Sequence, residues 1–83
     1  MLVTVKYFAS IREALGTGIE SLETSATTLG ALRDELLTRS NAHAEALARS
    51  RTVRLALNQV MSDESAALSA GAEVAFFPPV TGG

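Results

Sequence analysis

Hydrophobic and polar residues alternate along the first stretch of the chain. Val3, Val5 and Tyr7 fall on one face; Leu2, Thr4, Lys6 and Phe8 fall on the other. A period of two with β-branched residues predicts a strand whose odd-numbered face packs in the core. Ser10-Ile11-Arg12-Glu13 has capping-box spacing. It predicts a short helix with Ser10 as N-cap and Gly16 as its stop. After the Gly16-Thr17-Gly18 loop, 20–24 reads as a second strand with Leu22 inward. Thr28 reads as the N-cap of the main helix over 29–39, where Leu29, Leu32 and Leu36 form one apolar stripe. Arg33, Asp34, Glu35 and Arg39 are expected on its solvated side. Ser40-Asn41 breaks the pattern, and 42–49 reads as either a short helix or an irregular loop. Alternation resumes over 52–58, with Val53, Leu55 and Leu57 on one face and Arg54 and Ala56 on the other. Asn58-Gln59 predicts a turn into a short strand at Val60-Met61. Leu68 reads as an anchor beneath a turn, Ala70-Gly71 as a turn, and 73–77 as the last strand.

The resulting order is strand, short helix, strand, long helix, then three strands. A right-handed crossover through the long helix predicts an α+β domain with that helix on one face of a mixed sheet. The other face then has no helix to cover it. If Val3, Val5, Tyr7, Val74 and Phe76 point to the helix, Phe8 and Phe77 point away from it. Two large rings on an uncovered face predict a partner-binding surface.

Past Phe77 the pattern changes character. Pro78 and Pro79 remove two backbone donors and fix φ, so strand pairing is expected to stop there. Val80, Thr81, Gly82 and Gly83 follow. Val80 and Thr81 favour extended backbone, and the glycines carry no Cβ. The chain therefore divides into a folded domain over 1–77 and a thin tail over 78–83. Six extended residues reach about 20 Å. Such a tail fits a channel too narrow for ordinary side chains.

Composition narrows the function classes. The chain has 83 residues, room for one domain, and 47% of them are hydrophobic. A domain this small buries only about 60% of its unfolded surface, so the core must use that material efficiently. The formal net charge is −2 with no basic block, which argues against nucleic acid or an anionic membrane as the main partner. Cysteine is absent, which excludes disulfides, a thiol nucleophile and thiolate metal sites. No signal peptide and no apolar run near the ~20 residues of a membrane span is apparent, so a cytoplasmic location is expected. His43, the only histidine, has no clustered second ligand and reads as a surface residue, with no metal site. No phosphate loop, nucleophile elbow or Cys-His pair is present. The one unusual chemical group is the carboxylate of Gly83. A carboxylate becomes an acyl donor only after another protein adenylates it. A sulfur donor would then yield a thiocarboxylate; an enzyme thiol followed by a lysine amine would yield an isopeptide.

The ending Phe-Phe-Pro-Pro-Val-Thr-Gly-Gly over 76–83, preceded by Gly71-Ala72-Glu73-Val74-Ala75, resembles the small subunit of molybdopterin synthase (the MoaD family). Tyr7-Phe8-Ala9 with Ile11-Arg12-Glu13, Thr28-Leu29-Gly30-Ala31-Leu32, and Leu57-Asn58-Gln59 carry the resemblance through the whole chain. It implies a ubiquitin-like β-grasp fold and a sulfur carrier for molybdenum cofactor synthesis. It implies that an E1-like adenylating enzyme activates Gly83 with ATP, and that a sulfur donor converts the adenylate to a thiocarboxylate. The tail, with Pro78 to Gly82 as its stem, would enter the large synthase subunit and give sulfur to cyclic pyranopterin monophosphate. The family assembly is a heterotetramer in which Phe8 and Phe77 match positions that meet partners. The chain itself is expected to bind no cofactor and to be non-catalytic alone. Ala72 departs from the Asp common in the family, which predicts a weaker turn. The alternatives are a sulfur carrier for another pathway such as thiamin thiazole, a ubiquitin-like protein modifier, or a plain interaction domain.

Overall fold

The strands nearest the two ends of the chain lie parallel at the centre of one sheet. A computed structural model describes residues 1–79. Its elements are β1 (Leu2–Tyr7), α1 (Ala9–Leu15), β2 (Ile19–Glu23), α2 (Leu29–Leu37), α3 (Asn41–Ala46), β3 (Arg54–Leu57), β4 (Val60–Ser62) and β5 (Glu73–Phe77). The sheet order is β2-β1-β5-β3-β4; β1 and β5 are parallel and every other pair is antiparallel. Val5 pairs with Val74, and Tyr7 with Phe76. All four are buried, as is Leu55 opposite Phe76. Onto this face α2 lays Leu29, Leu32 and Leu36, each fully buried. The expected mixed sheet with one main helix on one face is the observed architecture.

Local signals set most boundaries. The Thr28 hydroxyl accepts from the Ala31 amide at 3.1 Å and caps α2, as its sequence spacing predicts. Ser40 caps α3 in the same way, accepting from His43 N–H at 3.1 Å. This resolves the ambiguous 42–49 stretch into a short helix followed by the buried Leu47. Asn58 and Gln59 both have positive φ, 50° and 69°, as a tight two-residue hairpin requires. Gly71 holds φ 80° in the turn before β5. Leu68 is buried and its N–H donates to Thr27, so it is the anchor its position suggested.

Three expectations fail. Ser10 is not the cap of α1. The Phe8 carbonyl accepts from Ile11 and Arg12 at 3.2 and 3.3 Å, and Ala9 has φ 51°. The helix therefore winds from the end of β1 with Phe8 at the N-cap position, and Ser10 lies inside its first turn. Arg33 is not on a solvated face; it is 4% exposed. Its Nε donates to the Leu47 carbonyl at 2.8 Å, its Nη2 to Ala48 at 3.0 Å, and its Nη1 to Glu64 at 3.2 Å. A buried guanidinium is tolerable only when its donors are so occupied. Burial pulls it below the ordinary arginine range, and Glu64 acts against that pull. His43 is not a surface histidine. Its side chain is 12% exposed, its Nδ1 lies 2.7 Å from Ser40 Oγ, and its ring meets Tyr7 edge-on at 6.1 Å. The alternation expected for β3 does hold: Leu55 and Leu57 pair with the inward Phe76 and Val74, and Arg54 and Ala56 pair with Phe77 and Ala75 on the other face, where Ala56 is nonetheless buried.

Candidate functional site

The open face of the sheet is built by strict alternation. Residues that pair across strands share a side, so the registers fix its rows. One row runs Ile19, Lys6, Ala75, Ala56, Met61. At the end of the sheet where β5 runs out, the last row places Phe77 beside Arg54. Phe8 follows Tyr7 on β1, and its N–H donates to the Phe76 carbonyl at 3.2 Å. Its ring stands edge-on to Phe77 with centroids 6.4 Å apart. Phe8 is 46% exposed, while Phe77 is half-buried against it. Ile19 and Met61, at 56% and 59%, extend the apolar surface to both edges. The two predicted rings therefore do come together, on the face that no helix covers.

Sequence reasoning missed Ile19, Met61 and Arg54 as members of this face. Their signal was available in the alternation, but only strand register decides which residues become neighbours. Lys6 and Glu73, at 3.0 Å, neutralise each other within the face, and Glu23 holds the N-terminal amine at 2.8 Å. The face is thus charge-balanced around Lys6, Glu73 and Glu23, with Thr4 and Ser21 between them, and is apolar at the Phe8–Phe77 end, where Arg54 is exposed beside the rings.

Pro78 and Pro79 lead the chain off β5 and are half-buried. They line a cleft of about 280 Å³ with Ser10, Ile11, Ala46, Arg51, Thr52 and Val53. The prolines end strand pairing as expected, and the start of the tail is propped against α1 and the approach to β3. The predicted tail residues Val80, Thr81, Gly82 and Gly83 lie outside the described residues.

A second polar cluster ties the core's edge together. Tyr7 donates to Glu20 Oε2 at 3.0 Å, His43 Nε2 lies 3.5 Å from the same oxygen, and Arg39 stands 3.0 Å from Glu20 Oε1. Burial, then the Glu20 charge, pushes the Tyr7 phenol well above its ordinary range. Tyr7 is thus held as a neutral donor. This cluster joins β1, β2, α3 and the segment just after α2, and reads as structural. Among the described residues there is no group of three or more His, Cys, Asp or Glu placed to hold a metal ion. No helix there is long and apolar enough to cross a membrane.

Comparison with known proteins gives three concordant findings. The family model described as "ThiS family" matches residues 5–83. The molybdopterin synthase sulfur carrier subunit of Haemophilus influenzae is 37% identical over 82 residues, which span 99% of this chain and 100% of that one. Two solved structures share the β-grasp architecture. One is the complex of subunits 1 and 2 of the molybdopterin-converting factor from Helicobacter pylori, with TM-score 0.71, 26% identity and full coverage of both chains. The other is small archaeal modifier protein 1 of H. volcanii, with TM-score 0.75 and 26% identity, covering 95% of this chain and 98% of that one.

Proposed function

The chain belongs to the ThiS family, and from that premise we propose that it is the sulfur carrier subunit of a molybdopterin synthase. The observation that carries this reading is the placement of the tail's root. β5 delivers Pro78 and Pro79 beside the Phe8–Phe77 pair, at the edge of an apolar face with no helix over it. A partner seated on those rings is in position to receive the tail. The full-length likeness to the Haemophilus influenzae sulfur carrier subunit supports the chemistry. The Helicobacter pylori complex of subunits 1 and 2 supports a large subunit as the partner.

In this reading residues 1–77 dock and residues 78–83 deliver. A separate E1-like enzyme, using ATP, joins the Gly83 carboxylate to AMP and releases pyrophosphate. Sulfur from a donor then attacks the acyl carbon, and AMP leaves with its bridging oxygen. The product is a Gly83 thiocarboxylate. Val80 to Gly82 form the narrow stem that carries it into the large subunit. There the sulfur passes to cyclic pyranopterin monophosphate, and hydrolysis returns the carboxylate. The chain itself binds no cofactor, and the reaction sequence is placed in the cytoplasm. Alone the chain is non-catalytic; its partner's active site completes it.

The test is reconstitution with the activating enzyme, ATP, a sulfur donor, the large subunit and the pterin precursor. Wild type is expected to form molybdopterin. Gly83→Ala is expected to fold normally and lose sulfur transfer, because it adds a methyl where the tail must be thinnest. Full activity of that variant would contradict the role of the tip. The likeness to small archaeal modifier protein 1 favours one alternative, attachment to lysines. That reading predicts high-mass conjugates in cells that survive reduction.

A further inference from the structure

The root of the tail is bracketed by two arginines that the sulfur-carrier reading leaves without a task. Arg54 shares the last row of the open face with Phe77. Paired residues on adjacent strands lie only about 5 Å apart. Arg51 lines the cleft that holds Pro78 and Pro79 on the other side of the chain. Both are exposed, and among the described residues neither side chain has a hydrogen-bond or ion-pair partner. Asp63, which shares a cleft with Arg54, is engaged by the Ser65 hydroxyl and amide.

Resting on the function proposed above, we propose that Arg51 and Arg54 form the cationic half of the contact that seats the tail. The partner surface around the tail's entrance then carries carboxylates opposite them. The argument is one of desolvation. A partner cannot cover Phe77 without approaching Arg54, and a guanidinium taken out of water without a counter-charge is strongly unfavourable. The rest of the face is already charge-balanced, so the demand for an anion falls at this end.

The experiment is the association rate of the purified chain with its purified large subunit, measured over a range of ionic strength. The variant is R51Q/R54Q. The control is S69E/A70E, at exposed residues beside the turn that begins β5, the end of the sheet away from the tail. Each pair of substitutions takes the formal net charge from −2 to −4. Wild type is expected to associate more slowly as salt rises. R51Q/R54Q is expected to be about five- to tenfold slower at low salt, with a flatter salt dependence, while the control stays near wild type. Thermal unfolding of each variant checks the fold, and the single substitutions separate the two arginines. Rates and salt slopes for R51Q/R54Q that match the control, or faster association, would overturn the proposal. Failure of wild type to bind at all would instead reject the functional reading, and this inference with it.

Discussion

Arg33 lies on α2 between Asp34 and Leu32, and no local pattern separates it from its charged neighbours. Its partners Leu47, Ala48 and Glu64 come from segments up to 31 residues away. Helical periodicity alone therefore could not show that it is buried. Arg33→Ala leaves the Leu47 carbonyl and part of the Ala48 carbonyl without a donor. We expect a loss of about 2–4 kcal/mol in urea unfolding. Arg39→Ala removes a half-exposed guanidinium while Glu20 keeps its hydrogen bond from Tyr7, and should cost less, about 1 kcal/mol. Equal costs would contradict the assignment of Arg33 as a buried bridge. Glu64 offers a pH test at the same scale. Hydrogen bonds from Arg49 hold its carboxyl below the ordinary range, against a smaller burial effect. A depressed folded pKa adds stability that is complete above the unfolded value, about 4.3. That stability is lost as pH falls through the folded value. Glu64→Gln should therefore flatten the decline of the urea midpoint on that acid limb and lower the midpoint at neutral pH. An unchanged acid limb would place the dependence elsewhere.

Elements were more legible than residues. Strand alternation located β1, β3 and β5, whose inner residues are buried against the core, and the Asn58-Gln59 turn located β4. Caps were legible only where the preceding chain left them free. Thr28 follows an irregular segment and caps α2; Ser10 follows a strand that turns directly into α1. Thr28→Ala should therefore cost about 1 kcal/mol and Ser10→Ala less than about 0.5 kcal/mol. Comparable losses, by chemical denaturation, would restore Ser10 as a cap. His43 illustrates the remaining gap. Its neighbours Ala42 and Ala44 are too small to mark a buried face, yet the Ser40 cap turns α3 so that its ring meets Tyr7 and Glu20.

At the scale of the molecule, the pairing of Phe8 and Phe77 on the uncovered face was readable in the sequence, and so was the break in strand pairing at Pro78. The proline pair and terminal glycines announce their properties locally. Phe8 and Phe77 announce theirs through parity, since each follows an inward-facing aromatic, Tyr7 or Phe76. What could not be read was the set of residues that register brings beside them, Arg54 above all. In the proposed function the molecule divides its work accordingly: α2 and the inner sheet face make the chain stable, and the outer face and tail engage another protein. The most direct test is the intact mass of the purified chain after incubation with its activating enzyme, ATP and a sulfur donor. A sulfur carrier must gain the mass of one oxygen-for-sulfur exchange, located at Gly83 by fragmentation. It must return to its starting mass once the large subunit and pterin precursor are added. No exchange with active partners, or an exchange located anywhere but Gly83, would contradict the account.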